Sequence, residues 1–101
     1  MIPSIVVPVL NKIHYTKQCI RDLISTVNKN TEIVFIDNGS TDGTKEFLSQ
    51  QNDIIVVSNT ENKGCASAWN QGIRKCKGEW ITILNNDVRL PAGWLDNLLS
   101  T

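Results

Sequence analysis

The chain has 101 residues, ten of them basic and ten acidic, so its formal net charge at pH 7 is zero. This length suits one domain, and the charge balance argues against a polybasic surface for nucleic acid or membranes. No apolar run approaches the roughly 20 residues of a membrane span, no signal peptide is evident, and three widely spaced cysteines fit reduced thiols in the cytoplasm.

The first half of the chain alternates between strand and helix patterns. The apolar run at residues 4–9 predicts a strand that is covered on both faces, as in parallel sheets. Pro8 lacks an amide donor and is expected to mark the end of pairing. Residues 32–37 predict a second strand, which ends in Asp37. Between them, residues 13–28 have the period of an amphipathic helix, with a buried stripe at Ile13, Cys19, Ile20, Leu23, Ile24 and Val27.

The second half repeats this alternation. The polar turn at 38–43 predicts a helix start, with Ser40 or Thr41 as the cap and Asp42 in the first turn. A third strand is predicted at 54–57 and a fourth at 80–84. Between these strands, small residues at helical spacing predict a helix that lies close to the sheet and ends by Gly78, with an inner face formed by Cys65, Trp69, Gly72 and Cys76.

A last helix is predicted at residues 92–99. The resulting β-α-β-α-β-α-β-α order predicts a three-layer α/β/α domain with a mostly parallel sheet. In such sheets ligands bind beyond the carboxyl ends of the strands. We therefore expect residues 8–11, 37–39 and 85–87 to gather at one edge.

Asn85-Asn86-Asp87 follows the fourth strand. Hard oxygen ligands at such a position suit a divalent metal and a diphosphate, although Asn and Asp also favour ordinary turns. The sequence contains neither a glycine triplet after the first strand nor a P-loop. Phosphate binding would therefore depend on a metal, supplemented by helix N-termini.

Four blocks of this sequence, in order, resemble the donor-binding half of family 2 glycosyltransferases with the GT-A fold: residues 4–11, 36–44, 62–73 and 84–87. The resemblance implies a Rossmann-like half-domain over residues 1–101 with strand order 3-2-1-4. It also implies sugar transfer from a nucleotide sugar to a saccharide or lipid-linked acceptor, assisted by Mg²⁺ or Mn²⁺. The acceptor half and the catalytic base, usually an acid, are expected beyond residue 101.

The resemblance also implies roles for individual residues. Asp37 would accept a hydrogen bond from the nucleobase, the alternative being a turn or helix cap. Asp87 would hold the metal, with Asn85 as a weaker second ligand. The implied nucleotide-sugar contacts are Pro8, Val9, Asn11, Asp37, Gly64, Trp69, Asn86 and Asp87. For Pro8, Val9 and Asn11, a plain strand end is the alternative.

Three positions depart from the family pattern. Asn85 replaces the first acid of the Asp-x-Asp motif, and Asn38 replaces a frequent second acid after the second strand. Trp69 stands where the family often has Arg. It could stack on a base, but its register with Cys65 and Gly72 favours packing against the sheet.

Two other functions fit parts of this pattern. One is a nucleotide-sugar-binding module without chemistry of its own. The other is a receiver-like signalling domain, against which stand the missing fifth strand and the lack of a late lysine at a strand end. An open edge on the fourth strand, with an apolar surface beside it that includes Trp94 and Leu98, predicts a homodimer. The expected location is the cytoplasm, or the inner membrane periphery for a longer protein.

Overall fold

The computed structural model of the chain describes residues 3–27, 30–78, 80–85, 87, 89–90 and 93–95. Strands and helices alternate within them, in the order β1 (Pro3–Val9), α1 (Ile13–Thr26), β2 (Glu32–Asp37), α2 (Thr44–Ser49), β3 (Ile55–Ser58), α3 (Cys65–Lys75) and β4 (Trp80–Ile83). All strand pairs are parallel and the strand order is β3-β2-β1-β4. The predicted class and strand order are therefore confirmed. Most of the helix predicted at 92–99 lies outside the described residues.

The sheet has an apolar core on each face, because side chains alternate along β1 and β2. On one face the strands pack against α1 and α2, through Ile5, Val7, Val9, Ile33, Phe35, Cys19, Ile20, Leu23 and Leu48. On the other face they pack against α3, through Val6, Val34, Ile36 and Ala68. Helices on both faces give the three-layer arrangement. Among the described residues, no helix is both long and apolar enough to cross a bilayer.

Helix α1 buries a narrower stripe than its sequence predicts. Thr16, Cys19, Ile20 and Leu23 are buried, whereas Ile24 is 52% exposed. These four buried positions follow the i, i+3, i+4, i+7 spacing of one helix face, and Ile24 lies at its solvent edge. Burial, followed by the nearby negative charge of Asp22, raises the pKa of the Cys19 thiol to about 12.

Pro8 ends strand pairing on one side only. β1 stays paired with β2 through Val9, so the expectation that pairing stops at Pro8 is wrong on that side. Pairing with β4 ends earlier, at Val6 and Ile83. The Val6 carbonyl accepts from the Leu84 amide, on the β4 side, and the Val9 carbonyl accepts from the Asn38 amide, on the β2 side. Alternation therefore directs the Pro8 nitrogen towards β4, beyond its last paired residue, where no donor is required.

The start of α2 and the buried face of α3 also differ from prediction. The residue that precedes α2 is Gly43, with φ 96°, and the Asp42 carboxylate accepts from the Thr44 amide at 3.1 Å. Asp42 thus binds the helix start in place of Ser40 or Thr41. In α3, the buried positions are Ala68 and Gly72.

Close packing of α3 on the sheet is confirmed at Gly72. A Cβ at this position would lie 2.3 Å from Cγ1 of Val6, so only glycine fits without movement of β1. The helix ends at Lys75, before Gly78.

Candidate functional site

An open cleft of about 130 Å³ lies beyond the carboxyl ends of the strands. Its lining consists of Pro8, Val9, Leu10, Asn38, Asn62, Cys65, Trp69 and Asn85. The ends of β1, β2 and β4 therefore meet at one edge, as the strand pattern predicts. The cleft is smaller than the roughly 300–1,000 Å³ of typical small-molecule pockets, so it can enclose only part of a nucleotide sugar.

Asn38 holds the loop that forms one wall of the cleft. Its Nδ2 donates to Oδ1 of Asn62 at 2.8 Å and to the Gly64 carbonyl at 3.3 Å. Its Oδ1 accepts from the Lys63 amide at 2.9 Å and from Nδ2 of Asn59 at 3.2 Å. Only a side chain with both donors and an acceptor can make this set of bonds. An aspartate at this position would lack both donors, which gives a structural reason for the departure at Asn38.

The same loop is joined to α3 by a reciprocal amide pair. Nδ2 of Asn59 donates to Gln71 at 2.8 Å, and Nε2 of Gln71 donates back to Asn59 at 2.8 Å. Gly39 packs directly under the loop, where a Cβ would lie 2.9 Å from the carbonyl carbon of Glu61. Asn62 accepts through Oδ1 from Asn38 and from the Gly64 amide. Its orientation is thereby fixed, and its own Nδ2 has no hydrogen-bond partner within the described residues.

Asp37 is buried at the end of β2, with 1% of its surface exposed. It lies beside Val9 in the strand register, although it is not in the cleft lining itself. Oδ1 accepts from the Ser40 amide at 2.9 Å, which is the turn contact of the capping alternative. Oδ2 is buried and has no partner among the described residues. One oxygen therefore serves the turn, and the other is buried without a donor from the described residues.

Asn11 has a structural contact instead of a place in the cleft lining. Its Oδ1 accepts from the Thr41 amide at 2.7 Å, and its own amide donates to Oγ of Ser40 at 2.8 Å. Asn11 and Lys12 both adopt positive φ, at 56° and 58°, a conformation that Asn tolerates better than most residues. The loops after β1 and β2 are thus tied to each other beside Asp37.

Trp69 lines the cleft and is 39% exposed, so the prediction that it packs against the sheet is wrong. The buried face of α3 belongs to Ala68 and Gly72, one residue earlier and three later. Rotation by one residue on a helix is about 100°, which turns Trp69 away from the sheet. Cys65, one turn earlier, is also exposed and shares the cleft. Gly64 precedes α3 with φ 87° and contacts Asn38 through its carbonyl.

Of the two predicted metal ligands, Asn85 belongs to the cleft lining and Asp87 does not. Asn85 is exposed and lines the cleft, Asp87 is exposed in the following turn, and Asn86 lies outside the described residues. No group of three or more His, Cys, Asp or Glu side chains gathers in the part of the chain that is described. Two oxygen donors fall short of the six or more that Mg²⁺ or Mn²⁺ requires. They suit a cation that is held mainly by the phosphates of a bound ligand.

Sequence reasoning missed part of this site. Leu10, Asn38, Asn62 and Cys65 all line the cleft, but none was predicted to contact a ligand. The signal for Asn62 was its place in the block 62–73. The pairing of Asn38 with a loop more than 20 residues away left no local signal.

The parallel sheet in 3-2-1-4 order, with a cleft beyond its strand ends, forms the Rossmann-like half-domain that the sequence resemblance implies. The model of glycosyl transferase family 2 matches residues 4–101, and the chain belongs to this family. It is 38% identical over 88 residues to glycosyltransferase GlyG of Streptococcus pneumoniae, covering 83% of this chain and 29% of that protein. It is 37% identical over 84 residues to an uncharacterised glycosyltransferase of Rickettsia typhi, covering 83% of this chain and 26% of that protein.

Two solved structures are similar in fold. The first is a mannosyltransferase of Pyrobaculum calidifontis in complex with GDP-Man and Mn²⁺, with a TM-score of 0.86 and 26% identity over 96% of this chain and 31% of that one. The second is S. aureus TarS in complex with UDP-GlcNAc, with a TM-score of 0.87 and 22% identity over 99% of this chain and 30% of that one. The chain thus spans less than a third of the length of these relatives.

Proposed function

We propose that this chain carries the donor-binding part of a glycosyltransferase that moves a sugar from a nucleotide sugar to a saccharide or lipid-linked acceptor. The observation that carries this proposal is the cleft between the end of β1 and the first turns of α3. GDP-Man and UDP-GlcNAc, which are bound in the two solved relatives, support a nucleotide sugar as its ligand. We assign the role of catalytic base to none of the described residues. We propose that the base belongs to the acceptor half, beyond residue 101.

The nucleoside end of the donor fits the cleft. The exposed face of Trp69 offers a stacking surface for a base. The unpartnered oxygen of Asp37 offers an acceptor for a base N–H, and Nδ2 of Asn62 offers a donor. Pro8 and Val9 supply apolar walls. Hydrogen bonds hold the side chains of Asp37 and Asn62 in place before the ligand binds, which reduces the entropy cost of recognition.

The diphosphate end fits the β4 side of the cleft. A divalent cation bound there, Mg²⁺ or Mn²⁺, would neutralise charge on the leaving diphosphate. The Asp87 carboxylate and the Asn85 carbonyl would hold it, with phosphate oxygens completing its ligands. The Mn²⁺ present in the mannosyltransferase structure supports this role. Metal binding should therefore be weak without nucleotide.

Titration calorimetry with UDP-, GDP- and dTDP-sugars, each with and without Mn²⁺, tests the proposal. We expect one nucleotide family to bind, more tightly with Mn²⁺, and Asp87→Ala to remove the metal-dependent gain. Asp53→Asn is a matched control, because the exposed Asp53 carboxylate makes no hydrogen bond or ion pair to any described residue. Failure of all three families to bind would refute donor binding. Product formation from donor and acceptor would separate an enzyme from a binding module.

We also propose that this chain self-associates through β4. This strand pairs with β1 on one side, and no described strand pairs with it on the other. Trp80 is 51% exposed, and Ile81 and Ile83 are also exposed. Such an edge is a template for pairing with a second copy. Sedimentation of Ile83→Lys against the unmodified chain tests this: a dimer that persists in the variant would contradict it.

Trp94 does not belong to that surface, contrary to the sequence-based expectation. It is half-buried against the apolar core, and its indole Nε1 donates to Oγ1 of Thr26 at 2.7 Å. The other residue expected there, Leu98, lies outside the described residues.

The proposed location in the cytoplasm, with the membrane periphery for a longer protein, rests on three free thiols at Cys19, Cys65 and Cys76.

A further inference from the structure

The chain that follows the Asn85–Asp87 turn is bound to α1 by polar contacts. Nε of Arg89 and the backbone amide of Leu90 both donate to Oδ2 of Asp22, at 3.0 and 3.1 Å. Further along, Nε1 of Trp94 donates to Oγ1 of Thr26 at 2.7 Å. The Thr26 hydroxyl donates in turn to the Asp22 carbonyl at 2.6 Å. A single turn of α1 thus binds both ends of the segment from 89 to 94.

Apolar contacts hold the same segment against the core. Leu84, Leu90 and Trp94 pack against the core on the α1 face, and Leu95 is buried within it. Before the turn, the Leu84 amide donates to the Val6 carbonyl at 2.9 Å. The turn is therefore fixed on its upstream side by the sheet and on its downstream side by α1.

Asp22 is the negatively charged group in this arrangement. Its side chain is 15% exposed, whereas that of Arg89 is 68% exposed. A salt bridge this exposed contributes little by itself. The bond from the Leu90 amide is different, because it fixes the backbone three residues after Asp87. The carboxylate also pairs the Arg89 guanidinium with α1.

We propose that Asp22 is a positioning residue for the Asn85–Asp87 turn, which it holds so that Asp87 can share a cation with the diphosphate of the donor. This inference rests on the proposed function. Asp22 touches neither the described cleft residues nor Asp87, and it acts through Arg89 and Leu90. Groups that hydrogen-bond directly to a metal ligand typically change metal affinity by about 10- to 100-fold, and Asp22, which acts through neighbouring residues, is expected at the lower end of this range.

The test compares Asp22→Ala, which removes the acceptor of both bonds, with the matched control Asp53→Ala. The probes are UDP and GDP, and each is titrated once in EDTA and once in saturating Mn²⁺. The quantity of interest is the dissociation constant in EDTA divided by the dissociation constant in Mn²⁺. We expect Asp22→Ala to lower this ratio by about tenfold while the dissociation constant in EDTA stays within about twofold of the unmodified chain. A purely structural role would weaken both by the same factor.

Two further measurements keep the outcomes separate. Trp94→Phe removes the second fastening to α1 without touching Asp22, and it should lower the same ratio by a smaller factor. Amide hydrogen exchange should accelerate at Leu90 in Asp22→Ala and remain unchanged in β1. Equal loss in both titrations, no change in the ratio, or unchanged exchange at Leu90 would each overturn the inference. Absence of Mn²⁺ dependence in the unmodified chain would refute the metal assignment of Asp87, and exchange at Leu90 would then decide whether Asp22 fixes the turn.

Discussion

The two oxygens of Asp37 have different environments, and two substitutions can separate them. Asp37→Asn retains an acceptor for the Ser40 amide, which lies 2.9 Å from Oδ1 in the structure. The new amide group then occupies the site of the buried, unpartnered Oδ2. An amide N–H at that site cannot accept from a nucleobase. Asp37→Ala removes both oxygens, so it should weaken both the turn and the nucleotide affinity.

The magnitudes follow from the kind of bond that is lost. A hydrogen bond to a charged group contributes about 1.5–3 kcal/mol, so Asp37→Asn should weaken nucleotide binding by about 10- to 150-fold. The free energy of unfolding should change by less than about 1 kcal/mol, since the turn bond remains and an unpaired buried charge is removed. Asp37→Ala should cost about 1–2 kcal/mol of stability through the lost cap.

Calorimetric titration with the nucleotide that binds the unmodified chain measures the affinity, and urea unfolding measures the stability. Asp53→Asn again serves as the control for loss of one exposed charge. Unaltered affinity in both Asp37 variants, together with a stability loss confined to Asp37→Ala, would show that Asp37 is only a cap. In that case the unpartnered oxygen accepts no hydrogen bond from the ligand, and the assignment of the nucleobase contact is wrong.

Three further predictions concern the rest of the molecule. Asn38→Asp should lower the free energy of unfolding by about 2–3 kcal/mol, because two donors to the cleft loop are lost in a buried position, and urea titration measures this. In thiol labelling, Cys65 should react long before the buried Cys19, and bound nucleotide should slow Cys65 alone; equal rates with and without nucleotide would count against the cleft as its site. The Leu90 amide, followed by the Arg89 side chain, lowers the pKa of Asp22, so its stabilisation is present above the unfolded pKa near 4 and is lost as the pH falls through the lower folded value. Unfolding of Asp22→Asn should therefore depend less on pH between pH 5 and 3 than that of the unmodified chain.

Much of the fold was predictable because the information is local. Continuous apolar runs identified β1 and β2 to within one residue of their observed bounds, and helical spacing identified α1 and α3. The strand order came from the resemblance to a family, since alternation alone allows several orders for four parallel strands. That these strand ends share one edge then follows from parallel pairing.

The errors arose where tertiary contacts choose between neighbouring positions. Ile24 and Trp69 both fit an apolar helical stripe, but a stripe read from sequence is uncertain by one position, or about 100° of rotation. For α3, the close approach of Gly72 to Val6 decides the rotation, and it turns Trp69 into the cleft. Asn38 was treated as a replaced acid, whereas its four hydrogen bonds to residues 59–64 depend on a long-range contact.

The distribution of charge around the cleft explains how one site can treat the two ends of a nucleotide sugar differently. The described lining residues are apolar groups, amides, a thiol and an indole, and none of them carries a charge. Such a lining suits a neutral nucleoside, and it cannot balance a diphosphate. The exposed carboxylate of Asp87 follows the β4 end of this lining, in a turn whose downstream side is bound to α1. Because the neutral and charged contacts belong to different elements, base recognition should not require the cation, whereas diphosphate binding should, and each can be removed by mutation without the other.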